Sequence, residues 1–330
     1  MSAKHRSEEP IRDYDRFVTP VRTTLYTDAA CPWAYSANPA LRLLEWRYGE
    51  QLEWRLVTIG LRDEVTPGAA AAYDPGRRAQ GQAFFRDRYG MPFGLVPKAR
   101  AAASGGGCRA VVAARLDDPG SEWRVLRALQ LAVFGTGFLL DDADEMRDVL
   151  RAVPGLDADA IVDRLDAPEV LAAYEADKAE TRSAAGSPPE AQGKTSTSDG
   201  PVRFTAPSIV FERDGTRLVA GGWQHVLAYD VLLANLDPTL ERTPTPETPE
   251  PLLERFPDGL TTAEVALLLA DGPDPVPDHP AAERALVELV AEGVATRTPL
   301  GQDAVWRAAG MAITGAESSG AGAAIEHVSS

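Results

Sequence analysis

Cysteine and histidine are scarce. Two cysteines in 330 residues, Cys31 and Cys108, cannot build a disulfide framework. The four histidines, His5, His225, His279 and His327, stand apart from one another and from both cysteines. That spacing excludes a structural zinc site of the usual kind, and no metal cofactor is expected. No run approaches the roughly 18 uninterrupted apolar residues of a membrane span. The stretch from Met1 to Pro20 carries charges throughout and lacks the apolar segment of a signal peptide. Neither G-x-G-x-x-G nor a phosphate-binding loop is present: Ser104-Gly105-Gly106-Gly107 lacks the Lys and Ser/Thr that phosphates need. Positive charge is also short, with 33 Lys and Arg against 49 acids, a net charge of −16 and a pI near 4.7. That field repels phosphate backbones, so nucleic acid is not an expected partner. The expected location is the cytoplasm, away from membranes. What remains as candidate chemistry is that of a thiol.

Hydrophobic residues make up 44% and charged residues 25%, the composition of a folded chain. At roughly 150 residues per domain, the length suggests about two domains. Residues 1–20 are polar and read as an arm. Arg22 to Asp28 is rich in Thr, Leu and Tyr, which suits a short strand. Cys31-Pro32-Trp33-Ala34 leads into a helical stretch with apolar Ala37, Leu41, Leu44 and Tyr48, kinked or broken at Pro39 and ended by Gly49. Leu52 to Ile59 alternates apolar and polar up to Val57, completing a βαβ unit.

From about 74 to 185 the chain reads as a helical insertion, with helices expected over Gly76–Tyr89, Cys108–Arg115, Glu122–Phe134, Asp142–Val153, Ala158–Leu165 and Pro168–Ser183. Residues 186–203 are polar and are expected to form a mobile loop. Ser208–Phe211 and Arg217–Ala220 form a hairpin around Asp214-Gly215, and a last helix carries Val226, Tyr229, Leu233 and Leu236. Residues 238–251 hold a Pro-rich, stiff linker. Residues 252–312 then read as three helices and a small hairpin, a winged-helix-like pattern, and 313–330 as a disordered tail.

A cysteine directly after a strand and before a helix meets the unpaired N–H groups of the first turn, which favour the thiolate. Cys31 holds that position, and the competing reading is an ordinary buried thiol. Pro32 suits the first helical turn. Thr205-Ala206-Pro207 opens the later hairpin, where Pro207 is placed to be cis beside the first strand. Tyr26, Asp28 and Tyr35 flank Cys31 and either line a pocket or pack at the sheet end. Cys108 reads either as a core residue beside Val111 and Val112 or as a resolving thiol delivered from the insertion. His225, at a helix start, reads as structural or exposed.

Asp28-Ala29-Ala30-Cys31-Pro32-Trp33-Ala34-Tyr35, the helical insertion, and Thr205-Ala206-Pro207-Ser208 with Gly221-Gly222 resemble the DsbA-like thioredoxin fold. The branch most similar contains FrnE-type oxidoreductases, 2-hydroxychromene-2-carboxylate isomerases and kappa-class glutathione transferases. The resemblance spans residues 21–237. It implies an α/β thioredoxin fold, places the active-site cysteine at Cys31 and the cis-proline at Pro207, and makes Pro32, Trp33, Ala206 and Pro207 the surface for substrate or thiol. Dithiol members carry a second cysteine where this chain has Ala34. The isomerase and transferase branches lack the pair, using serine at the first position and binding a small thiol.

Three functions follow as expectations. The first is an oxidoreductase using Cys31 alone with a glutathione- or mycothiol-like thiol, on small-molecule or disulfide substrates. A transferase or isomerase dependent on such a thiol is its enzymatic alternative. The second is a non-catalytic thioredoxin-fold binding module. The third is a transcriptional regulator built on the winged-helix-like module. Between Leu240 and Ala312, however, five arginines face thirteen acids, a net 5 − 13 = −8. That charge points to protein contacts, with the chain's own thioredoxin domain or through a homo-oligomer.

Overall fold

The computed structural model describes residues 19–310. The expected arm up to residue 18 and the expected tail lie outside the described residues. Strand β1 (Val21–Thr27) runs into α1 (Pro32–Ser36) and α2 (Asn38–Tyr48), then β2 (Leu52–Thr58). The helical stretch breaks at Ala37, two residues before Pro39, which then sits harmlessly in the first turn of α2. Strand β1 is buried along almost its whole length, because it lies inside the sheet: β2 pairs with it in parallel, in the register Leu25↔Leu56.

The insertion comprises α3 (Pro67–Ala71), α4 (Pro75–Tyr89), α5 (Gly105–Asp117), α6 (Ser121–Gly135), α7 (Ala143–Arg151), α8 (Ala158–Asp163) and α9 (Pro168–Thr181). Side-chain caps set several starts: Asp74, Asp142 and Asp157 each accept a backbone N–H in the first turn. The three glycines opening α5 serve close packing. A Cβ at Gly107 would lie 2.5 Å from Leu140 Cδ1, and one at Gly105 2.9 Å from the Asp63 backbone.

The segment expected to be a mobile loop is partly built. It holds α10 (Pro188–Ala191) and a ladder of β3 (Thr195–Ser196) with β4 (Arg203–Phe204). Asp199 takes Arg203 at 3.0 Å and pairs with Arg182 of the α9 cap, so charge rather than apolar patterning orders this stretch. Next come β5 (Ser208–Arg213), β6 (Thr216–Ala220) and α11 (Val226–Leu236). Asp214 and Gly215 both have positive φ, 50° and 78°, as the tight hairpin turn requires. The sheet order is β2-β1-β5-β6, with β5 antiparallel to both neighbours.

The C-terminal elements are α12 (Glu250–Arg255), β7 (Leu260–Thr261), α13 (Thr262–Leu268), α14 (His279–Ala291), β8 (Ala295–Leu300) and β9 (Asp303–Ala308), with sheet order β7-β9-β8. The three helices and the hairpin stand in the order expected from the sequence, and β7, which that pattern does not predict, adds a third strand beside β9. The Pro-rich segment does not stand off as a spacer. Thr243 donates to Arg47 O at 2.8 Å and Trp46 Nε1 donates to Pro244 O at 2.9 Å, because prolines fix extended backbone and leave their carbonyls free to accept from α2. One buried cluster joins Leu25, Leu44 and Phe211 of the thioredoxin part to Leu260, Leu286 and Trp306 of the C-terminal part. The module therefore packs against its own chain. The joint also carries a buried ion pair, Arg127 of α6 with Glu264 of α13, at 2.7 and 2.8 Å.

Candidate active site

Strand β1 ends at Thr27, and Asp28-Ala29-Ala30 turns the chain into α1. Asp28 is fully buried and organises the turn. Its Oδ1 accepts Ala30 N at 2.8 Å, and its carbonyl accepts Cys31 N at 3.2 Å. Its Oδ2 accepts Leu61 N at 2.8 Å, Ser104 Oγ at 3.0 Å and the Cys108 thiol at 3.4 Å. One carboxyl group thus ties the site loop to the end of β2 and to the start of α5. Burial raises its pKa above the ordinary range, and the four donors pull it back without cancelling that effect.

Cys31 is the N-cap of α1, with extended backbone (φ −84°, ψ 114°), and is 5% exposed. Its Sγ lies 3.2 Å from Ala206 O, to which the thiol donates. The Ala206–Pro207 peptide is cis. Ser208 Oγ donates to Thr205 O at 2.6 Å and accepts Gly222 N at 3.1 Å, which holds this loop against the Gly221-Gly222 turn. The structure therefore brings Cys31, Pro32, Ala206 and Pro207 together. Ala34 is buried in the same small cluster as Cys31, with Tyr26, Phe204 and Ala206.

The expectation that a helix start would favour the thiolate is reversed. Burial pushes the Cys31 thiol up to about 12, and the Asp28 charge adds to that. The Ala34 and Trp33 N–H groups and Arg203 act in the opposite direction, but α1 has only five residues and its end field is correspondingly small. The resting side chain is a neutral thiol.

Cys108 is buried in the insertion core with Val111 and Val112, and burial, followed by Asp28, pushes its thiol well above the ordinary range. Both cysteines are free. They touch different groups: Cys31 meets a carbonyl of the Pro207 loop, and Cys108 the far side of Asp28. Tyr35 packs between Phe93 and Phe134 and donates to Pro92 O at 2.9 Å. Tyr26 stacks on Phe204 and donates to Glu180 at 3.1 Å. Tyr26 and Tyr35 are packing residues. His225 caps α11 through Nδ1.

Trp33 is 40% exposed and meets Phe85 and Tyr89 of α4 edge-on, at 5.1 and 5.6 Å. Beside it opens a cleft of about 450 Å³ lined by Pro32, Arg62, Tyr73, Arg77, Arg78 and Phe85 among others. This is the size of a small-molecule site. The sequence reading missed its cationic rim. Its one local signal is the pair Arg77-Arg78 just inside a capped helix start, in a chain otherwise rich in acids. Among the described residues, no cluster of three or more His, Cys, Asp or Glu is arranged to hold a metal ion, and no helix is long and apolar enough to cross a membrane.

A family model described as "DSBA-like thioredoxin domain" matches residues 23–188. No curated protein sequence matches the chain. Among solved structures, a "putative protein disulfide isomerase" from Nitrosomonas europaea is 17% identical with a TM-score of 0.50, over 66% of this chain and 97% of that one. The cytosolic disulfide reductase DsbM of Pseudomonas aeruginosa, solved with GSH, is 20% identical with a TM-score of 0.43, over 60% of this chain and 89% of that one. At 17% identity the likeness to the Nitrosomonas europaea structure concerns the fold.

Proposed function

The chain belongs to the DSBA-like thioredoxin domain family, and from that premise we propose that it is a single-cysteine thiol-disulfide oxidoreductase acting with a low-molecular-weight thiol. The observation that carries this reading is Cys31 against Ala206 O, one residue before the cleft-lining Pro32, with Ala34 where a partner thiol would stand. Cys31 loses its proton to water, and its thiolate attacks one sulfur of a small disulfide RS–SR. A Cys31–SR bond forms as the S–S bond breaks, and RS⁻ leaves and takes up a proton. A second small thiolate, R′S⁻, then attacks the sulfur of the bound SR group. R′S–SR departs, and Cys31 recovers its thiol. No intramolecular thiol resolves the adduct from position 34, so an external one must. Pro32, Trp33 and the Ala206–Pro207 segment supply the surface on which the small thiol lies. A glutathione- or mycothiol-like thiol in a reducing cytoplasm fits that role.

The neutral state of Cys31 favours a second reading, a thiol-dependent transferase or isomerase. There the Cys31 S–H keeps its proton and donates to the sulfur of a bound small thiol, stabilising that thiolate for attack on an electrophile. The thiol is then retained in the product or released after isomerisation.

Mass spectrometry of protein purified without reductant, then incubated with glutathione disulfide, tests the first reading. One thiol moiety on Cys31 with Cys108 free is the expected result. A dominant Cys31–Cys108 crosslink would overturn the single-cysteine route. Thiol-dependent turnover retained by Cys31→Ser without any adduct would transfer support to the second reading.

A further inference from the structure

We propose that the cleft beside Pro32 binds a small molecule with an apolar body and an anionic group, the anion being taken by Arg62, Arg77 and Arg78. This deepens the proposed function, resting on it for the ligand's role as the partner in thiol chemistry. Three guanidinium groups line one cleft of about 450 Å³, and none makes a salt bridge or a side-chain hydrogen bond among the described residues. Asp74 also lines the cleft, but its Oδ1 is engaged by Arg77 N at 2.9 Å, capping α4.

Deeper along the same wall, Arg62, Tyr73 and Arg78 border an adjoining cavity with Lys98. Lys98 is buried, and its ammonium donates to Phe138 O rather than to a carboxylate. Burial, with nearby Arg78 adding to it and Glu145 opposing it, pushes Lys98 down to about 8. A buried ammonium near a guanidinium, with no carboxylate in hydrogen-bond contact, is costly to maintain, and a bound anion would offset that repulsion. In a chain of net charge −16 an anionic ligand is otherwise repelled, so a local cationic wall is what admits it. The floor is apolar, with Phe85 and Phe134 beside Pro32. A guanidinium fork matches a carboxylate geometrically, and aromatic floors take flat apolar bodies.

The test uses 1-naphthoate and its neutral counterpart 1-naphthalenemethanol as probes, with binding followed by calorimetry on the full chain. Naphthoate should bind at least about tenfold more tightly than the alcohol. In the double variant Arg77→Gln/Arg78→Gln, which keeps Arg62, the preference should shrink severalfold, with the alcohol's affinity unchanged. Both arginines are exposed, so the fold should tolerate these changes. In the unaltered protein, salt near 1 M, which shortens the screening length to about 3 Å, should shrink the preference as well. Equal affinity of both probes for the unaltered protein would overturn the proposal. So would a preference that persists undiminished in the double variant. Cys31→Ser should leave the preference intact, so failure of the thiol chemistry and failure of this inference are read separately.

Discussion

Cys31 should be a slow thiol at neutral pH and a progressively faster one as pH rises. Its pKa stands at about 12 against an ordinary 9.0, so its thiolate fraction at pH 7 is about a thousandfold below that of an exposed cysteine. The more basic thiolate is the better nucleophile, and a Brønsted slope of about 0.45 returns about twentyfold. The remainder is a deficit of about 40–50-fold. Restricted access to a side chain that is 5% exposed adds to it. Alkylation by iodoacetamide, quantified on the Cys31 peptide between about pH 6 and 10, reads this directly. The rate should climb about tenfold for each pH step with no plateau in that range. A plateau near neutrality, or alkylation faster than that of glutathione at pH 7, would refute the reasoning. It would mean that the Trp33 and Ala34 N–H groups outweigh burial.

That contrast shows what the sequence could and could not convey. The strand–Cys–Pro order around residue 31 is local, and so is the capping chemistry of Asp74, Asp142 and Asp157, so those helices fall close to where the pattern puts them. The stabilisation offered by a helix start is local too. Its effect, however, depends on solvent, and solvent is removed at Cys31 by Ala206, far along the chain, and by a carboxyl group held from residues 61, 104 and 108. No spacing rule connects those positions. The same holds for the cleft, whose cations come from the loop after β2 and from α4. In the 186–203 segment, β3 and β4 have two residues each, too few for any period to register. The Pro-rich stretch signals extended backbone correctly as chemistry, but it carries no information about the donors on α2 that hold it down.

Ala34→Cys should close a disulfide with Cys31 under mild oxidation, because both side chains lie in one small buried cluster. Thiol titration of the denatured variant should then find only Cys108, and finding three thiols would refute it. Stability should fall as pH rises from about 9 towards 12. Burial pushes Cys31, Tyr26 and Tyr48 each up to about 12, so the folded state keeps protons that the unfolded chain sheds from about 9 to 10 upward. Denaturant midpoints that stay flat over that window would refute the assignment. Arg127→Met should be severe. It leaves Glu264 buried at 0% exposure with only Arg42, 4.0 Å away, as a cation, and removing one partner of a buried pair costs about 3–5 kcal/mol. Glu264 also accepts Thr261 N at 2.7 Å, closing the capping box that starts α13, so its charge cannot simply move away. The double variant Arg127→Met/Glu264→Leu removes the stranded charge and should recover much of the loss, short of about 1 kcal/mol for the lost cap. The pair bridges α6 and α13, so the single variant should also expose the 238–250 segment to limited proteolysis while the double variant protects it. If the single variant loses less than about 1 kcal/mol, the pair is not what seats the module, and the shared apolar cluster around Trp306 must do so alone.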